Sequence, residues 1–164
     1  MLIFIAAHGI NYEMGLDGHL PWRHARLQND TKRLHLLANK KHLVMGERTY
    51  HDYKDVRSAF QTTQVTVLSK SAKKLSDADV VSDIQSVVSR SKTEDLWVIG
   101  GGNVFAQLLP YVDIMYLTLV KSEFNADVFF PAYSVEDWIV VSEEHYNADD
   151  QNPYPYTFLE LKRP

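Results

Sequence analysis

The stretch Leu96-Trp97-Val98-Ile99-Gly100-Gly101-Gly102-Asn103-Val104-Phe105 decides how the rest of the chain is read. Four consecutive apolar residues predict a strand buried on both faces, as in a parallel sheet, and Val104, Phe105, Leu108 and Leu109 continue at helical spacing. The three glycines therefore fall at a strand-to-helix turn. Such a turn lets backbone amides come close to a ligand, and the helix start behind it offers N–H groups to a phosphate. Taken alone the stretch leaves two readings open, a nucleotide-phosphate turn and a glycine-rich helix start that serves packing. Gly100-x-Gly102-x-x-Phe105 lacks the third glycine of a dinucleotide-binding fingerprint.

Outward from this turn, strand and helix alternate. Leu2 to Ala7 predicts a buried strand, and His8 to Trp22 a long loop closed by Leu20-Pro21-Trp22; loops of that length are usually functional. A helix is predicted from about Asp30 to Ala38, a strand over Leu43-Val44-Met45, and a short helix from Arg48 to Tyr53 opened by Gly46. Val65 to Leu68 and Asp79 to Val81 read as strands, followed by a helical period at Ile84, Val87 and Val88 that ends near Thr93. Beyond the glycine turn the pattern changes to strands without helices: Ile114 to Leu119, Trp138 to Val141, and Tyr156 to Leu161, the last alternating like a half-exposed antiparallel strand. The expected fold is one α/β domain over residues 1–164, mainly parallel with an antiparallel C-terminal edge.

Composition narrows the function. With 164 residues and 45% hydrophobic content the chain suits a single domain with a real core. Its 21 acidic and 17 basic residues leave a formal charge of -4 and no basic stripe, which argues against a nucleic-acid surface. The absence of cysteine removes disulfides, thiol nucleophiles and thiolate metal sites. No apolar run reaches membrane-spanning length, and the apolar start lacks a basic leader, so a soluble, cytoplasmic protein is expected. The seven histidines show no metal-ligand spacing, and no nucleophile elbow is present.

Asp30 is the most informative single residue. Asp30, Leu34 and Leu37 share one helix face, which places a carboxylate on the apolar side; desolvation there raises its pKa toward the range of a proton donor. The alternative is a helix cap, a role suited to both Asn29 and Asp30. Thr49 and Arg48 after Gly46, and Ser69-Lys70 after the strand Val65 to Leu68, mark two further strand ends able to meet a phosphorylated ligand.

In order and spacing, Gly15-Leu16-Asp17-Gly18-His19-Leu20-Pro21-Trp22, Asp30, Met45-Gly46-Glu47-Arg48-Thr49-Tyr50, Leu68-Ser69, Val98-Ile99-Gly100-Gly101-Gly102, Leu117-Thr118, Asn125-Ala126-Asp127 with Phe130-Pro131, and Asp137-Trp138 resemble dihydrofolate reductase over the whole chain. The resemblance implies an eight-stranded, mainly parallel sheet with an antiparallel last strand, flanked by about four helices. It implies a monomer that reduces 7,8-dihydrofolate to tetrahydrofolate with NADPH, by hydride transfer to pterin C6, and that antifolates bind. Asp30 then matches the carboxylate that holds the pterin and supports N5 protonation, with Trp22 and Thr118 as its catalytic companions. Ile5, Ala6, Leu20, Thr31, Leu34, Tyr53, Phe60 and Ile99 match the substrate side. Ala7, Met14, Gly15, Gly46, Arg48, Thr49, Leu68, Ser69, Lys70, Gly100, Gly101, Gly102, Asn103, Val104, Phe105 and Gln107 match the cofactor side, and the loop from Gly15 to Trp22 a mobile lid. A cis peptide between Gly100 and Gly101 is also implied.

Three departures from the family pattern stand out. The chain carries extra residues between Trp22 and Asp30, including Arg23, His24 and Arg26. Thr63 falls where the family has the arginine that grips the substrate's α-carboxylate, with Arg57 too far upstream to align. Glu47 replaces a frequently basic residue near the adenosine phosphates, and Lys70 is the cation available there to a 2′-phosphate.

Overall fold

The structure, a computed structural model, describes residues 1–22, 25–71 and 74–164. Arg23 and His24 of the insertion lie outside the described residues. The frame is an eight-stranded sheet in the order β5-β4-β3-β6-β1-β7-β10-β9, built from β1 (Leu2–His8), β3 (His42–Gly46), β4 (Val65–Leu68), β5 (Asp79–Val81), β6 (Leu96–Gly100), β7 (Ile114–Val120), β9 (Ile139–Tyr146) and β10 (Tyr156–Lys162). The first six are parallel, with β1 in the middle: Leu2, Ile3 and Phe4 stand beside Leu96, Trp97 and Val98, and Ile3 to His8 beside Ile114 to Leu119. Only β10 runs against the others, pairing antiparallel with β7 on one side and with β9 on the other.

The final strand is not the edge. β10 lies between β7 and β9, buried at Tyr156, Thr157, Leu159 and Leu161, so the half-exposed alternation expected of it belongs to an interior strand; β9 takes the edge. A small second sheet pairs β2 (Glu13–Gly15) with β8 (Val128–Phe129) and anchors the first long loop. Both short strands lie in stretches whose sequence pattern reads as loop.

Five helices among the described residues cover the sheet, one more than the resemblance implies. α1 (Gln28–Ala38) and α3 (Val56–Phe60) pack with Ile3, Ile5, Leu43, Met45, Val65, Val67 and Trp97 on one face. α4 (Ile84–Ser91) and α5 (Gly102–Leu108) pack with Leu2, Phe4, Val44, Val98 and Leu117 on the other. α2 (Glu47–Asp52) follows β3 directly. The extra helix is α3, a five-residue turn that begins where the Asp55 carboxylate accepts from the Ser58 amide at 3.1 Å. Asp83 caps α4 in the same way, toward Gln85 and Ser86.

α1 starts earlier than its apolar spacing predicts. Its N-cap is Leu27, which makes no side-chain capping bond, and Asp30 stands inside the first turn. Asp30 is therefore not the cap, and its side chain is free to serve the sheet side of the helix. No helix among the described residues is long and apolar enough to cross a membrane.

Candidate active site

Adjacent strands β1 and β6 send their next helices to opposite faces of the sheet, α1 to one and α5 to the other. In an open α/β sheet this opens a crevice at the carboxyl ends of the strands. Ala7, Gly46, Leu68 and Gly100 all lie at those ends, with Thr118 beside Ala7 in the β1–β7 register.

The acid half is built on α1 and β7. The Asp30 carboxyl is enclosed by protein, although the residue as a whole keeps some solvent access along the crevice, and Thr118, 2% exposed, donates its hydroxyl to it. Burial pushes the Asp30 pKa up, while the Thr118 hydrogen bond and the charge of Arg33 pull it back. Tyr53 faces the same carboxyl, and its phenol is pushed up to about 12, mainly by burial and then by Asp52 and Asp30. Both groups are thus biased toward their protonated forms. Ile5, Leu34, Tyr53 and Ile99 belong to the apolar cluster beneath α1, with Ala6 and Ile99 only partly buried at their strand ends. Trp22 is buried at 3% exposure against Leu27, Val120 and the ring of Phe124, its centroid 5.2 Å away. Leu20, two residues earlier on the loop, is 46% exposed.

Two further substrate-side residues are placed differently from these. Phe60 is fully buried, with Tyr53 against its edge and His35 stacked on it at 4.9 Å between centroids, so it supports the crevice wall from behind. Thr31 is exposed on α1, its hydroxyl turned back to the Leu27 carbonyl at 3.3 Å.

The glycine half joins β6, β3 and α2. The Gly100–Gly101 peptide is cis, and Gly100 has φ +144°, a region side-chain-bearing residues rarely occupy. A Cβ on Gly100 would stand 3.1 Å from the Thr49 hydroxyl oxygen, and one on Gly46 would stand 3.2 Å from Val104. The bare backbone at Gly46, Gly100 and Gly101 thus leaves a shallow cradle bordered by Thr49. Gly102 serves packing as well: a Cβ there would be 2.8 Å from Val128 and 3.4 Å from Met14. Packing therefore accounts for Gly102, while the backbone at Gly46, Gly100 and Gly101 stays bare beside Thr49.

Other cofactor-side residues separate into two groups. Leu68 and Ser69 close β4, and the Ser69 and Ser71 hydroxyls donate to the Glu47 carboxylate at 2.5 and 3.2 Å. The hydroxyl of Ser69, then burial acting in the opposite sense, then Ser71 set a net lowering of the Glu47 pKa. Lys70 and Arg48 are exposed, Arg48 lying close enough to Gly18 of the loop that a Cβ there would stand 2.7 Å from its guanidinium. Asn103 and Gln107 are exposed on α5 and bonded to each other at 3.2 Å. Val104 and Phe105, by contrast, are core: Phe105 packs on Phe4 and Phe130 with centroids 4.9 and 5.1 Å apart, and its amide donates to the Gly101 carbonyl. Phe105 therefore shapes the turn without presenting itself to a ligand.

Thr63 is exposed, while its neighbour Thr62 is buried and donates to the Lys41 carbonyl at 2.5 Å. The charge of Arg57 acts on Tyr50 and Asp55, so that guanidinium serves the α2–α3 side. Arg33 went unnoticed in the sequence, though its position three residues after Asp30 on the same helix face was the available signal.

An open, mainly parallel sheet with a bare-backbone cradle and an enclosed acid at its strand ends defines an α/β enzyme that brings a nucleotide and a small substrate together. A family model described as dihydrofolate reductase matches residues 1–163. A dihydrofolate reductase of Staphylococcus aureus is 30% identical over 162 residues, covering 99% of this chain and 98% of its own. One of Bacillus subtilis is 32% identical over 160 residues, covering 97% and 92%. Among solved structures, a dihydrofolate reductase from Enterococcus faecalis complexed with NADP(H) and RAB-propyl superposes with a TM-score of 0.84 at 24% identity, covering 99% of this chain and 96% of its own. The chain belongs to the dihydrofolate reductase family.

Proposed function

We propose that the protein reduces 7,8-dihydrofolate to 5,6,7,8-tetrahydrofolate with NADPH, acting as a monomeric cytoplasmic enzyme of one-carbon metabolism. The observation that carries this reading is an enclosed carboxyl, Asp30, bonded by Thr118 near the carboxyl end of β7, in a sheet whose neighbouring strand ends at Gly46 and Gly100 are bare backbone. That cradle fits a nucleotide cofactor, because a Cβ at Gly100 would fill it and meet Thr49. Gly46, Thr49 and Gly100 to Gly102 would hold the dinucleotide, with Leu68, Ser69 and Lys70 toward its adenosine end. When bound, NADPH supplies the hydride.

The chain's own residues supply position and protons. Asp30, hydrogen-bonded by Thr118, accepts the amino group and ring N–H of the pterin and favours a proton at N5. Burial makes that carboxyl hold its proton to higher pH than an exposed one, matching a step that consumes a proton. Ile5, Leu34 and Ile99 press on the flat heterocycle and exclude water. The loop from Gly15 to Trp22, held at its base by β2 and β8, closes over both reactants.

The test is to incubate purified protein with NADPH and dihydrofolate. Substrate-dependent oxidation of the cofactor is expected; none above background from folded protein overturns the reading. A second reading is favoured by one observation: Thr63 and Arg57 leave the substrate's glutamate without the guanidinium expected for it. On that reading the preferred substrate is a reduced pterin without the glutamate tail. Equal kcat/KM for dihydrofolate and dihydropteroate supports it, and a strong preference for dihydrofolate contradicts it.

A further inference from the structure

Arg33 stands one helical turn after Asp30 on the sheet-facing side of α1. Three attachments fix it. Its Nη1 donates at 2.7 Å to the carbonyl of Leu117, the residue before Thr118 on β7. Its guanidinium lies over the ring of Phe158 on β10, 4.3 Å from Cζ to the centroid, and 5.8 Å from the ring centroid of Tyr116. A long cationic side chain that is half-buried, stacked and tied to main chain is far from a solvated surface arginine.

We propose that Arg33 is a positioning residue for Asp30, a fixed cation that joins α1 to the strand carrying Thr118 and sets the pH range over which the acid site works. The inference rests on the reading of Asp30 as the acid that meets the substrate. A guanidinium keeps its charge throughout the working range, so its field at Asp30 does not titrate away. The ionisable groups facing the pair are few. Tyr53 approaches Asp30 from the segment after α2, Tyr116 comes from β7, and Glu160 on β10 with Glu144 and Tyr146 on β9 face Arg33. Burial holds Tyr53 and Tyr116 in the neutral form and the hydrogen bond to Glu144 does so for Tyr146, whereas the two glutamates offset part of the cation. Burial drives Asp30 toward protonation; Thr118 and Arg33 oppose it, and Arg33 is the opposing group that carries charge. The Leu117 bond adds a mechanical link, since a shift of Arg33 moves the strand segment that aims the Thr118 hydroxyl.

The experiment compares wild type with Arg33→Met and Arg33→Lys, following the Asp30 carboxyl by 13C NMR titration in the free protein and the pH profile of kcat with dihydrofolate and NADPH. In R33M the Asp30 midpoint is expected to rise by about 1 pH unit and the kcat profile to move with it. R33K is expected to stay within about 0.3 unit of wild type, because the charge is kept. An unmoved midpoint in R33M, or an R33K displaced as far as R33M, overturns the proposal. If R33M does not fold, Arg33→Gln carries the same expectation. Failure of wild type to reduce dihydrofolate overturns the functional reading instead, and the NMR midpoints judge Arg33 independently of it.

Discussion

At Asp30 two demands oppose each other. The proposed mechanism uses a carboxyl that holds its proton to higher pH than an exposed one, whereas folding is disfavoured by any carboxylate that must ionise while enclosed. Because the folded-state pKa is raised, the contribution of Asp30 to stability is fully present below its unfolded value and is lost as pH rises through the folded value. Asp30→Asn is therefore expected to melt a few degrees higher than wild type at pH 7, with the difference closing as the pH falls; equal melting temperatures at every pH would contradict the burial argument. Glu47 invites a second test. Held ionised by the Ser69 and Ser71 hydroxyls, it repels the 2′-phosphate that distinguishes NADPH from NADH if the adenosine end lies between α2 and β4. Replacing it with Gln should raise the NADPH to NADH preference in kcat/KM several-fold, and an unchanged ratio would place the 2′-phosphate elsewhere.

Among the elements, β1 carries a liability at its end. His8 is buried between Phe130, Tyr12 and Tyr133, with Nδ1 toward the Gly9 carbonyl at 2.7 Å and Nε2 toward the Tyr133 hydroxyl at 3.0 Å. Burial lowers its pKa, and the Gly9 carbonyl offsets only part of that. A histidine with a depressed folded pKa stabilises the protein above its unfolded value of 6.5 and loses that contribution as pH falls. Chemical denaturation should accordingly show stability falling below about pH 6.5, and His8→Gln should flatten that limb. A limb that persists unchanged in the variant would assign the acid sensitivity to other groups. The α5 turn offers a complementary check: Gly102→Ala sets a methyl 2.8 Å from Val128 and 3.0 Å from the Phe129 carbonyl, so it should destabilise by about 1–3 kcal/mol in urea melts.

At the scale of the whole molecule, what was legible followed from what repeats. Buried strands such as Leu2 to Phe4 and Leu96 to Val98 are continuous apolar runs, and their alternation with helices announced the parallel sheet. The five-residue α3 and the strands Glu13–Gly15 and Val128–Phe129 were not legible, because elements that short do not repeat a pattern often enough to set it apart from a loop. Asp30 could be placed on an apolar face from spacing alone, but whether it capped the helix depended on where α1 began, and Leu27 gives no capping signal. Spacing did not show that the side chains of Phe60 and Phe105 are buried, because position in a motif identifies a segment and burial depends on what the rest of the chain packs against it. Arg33 escaped because its partners, Leu117 and Phe158, come from strands far along the chain.

Two substrates meeting in one crevice make ligand binding a property of the entire fold. NADPH at about 100 times its dissociation constant should stabilise the folded chain by about 2.7 kcal/mol and raise the melting temperature accordingly. The most direct test of the account is steady-state NADPH oxidation with dihydrofolate at pH 7, comparing wild type with Asp30→Asn at matched NADPH saturation. The account predicts substrate-dependent turnover by wild type and a loss of at least about 100-fold in the variant with NADPH affinity unchanged. Turnover by Asp30→Asn at the wild-type rate would contradict it.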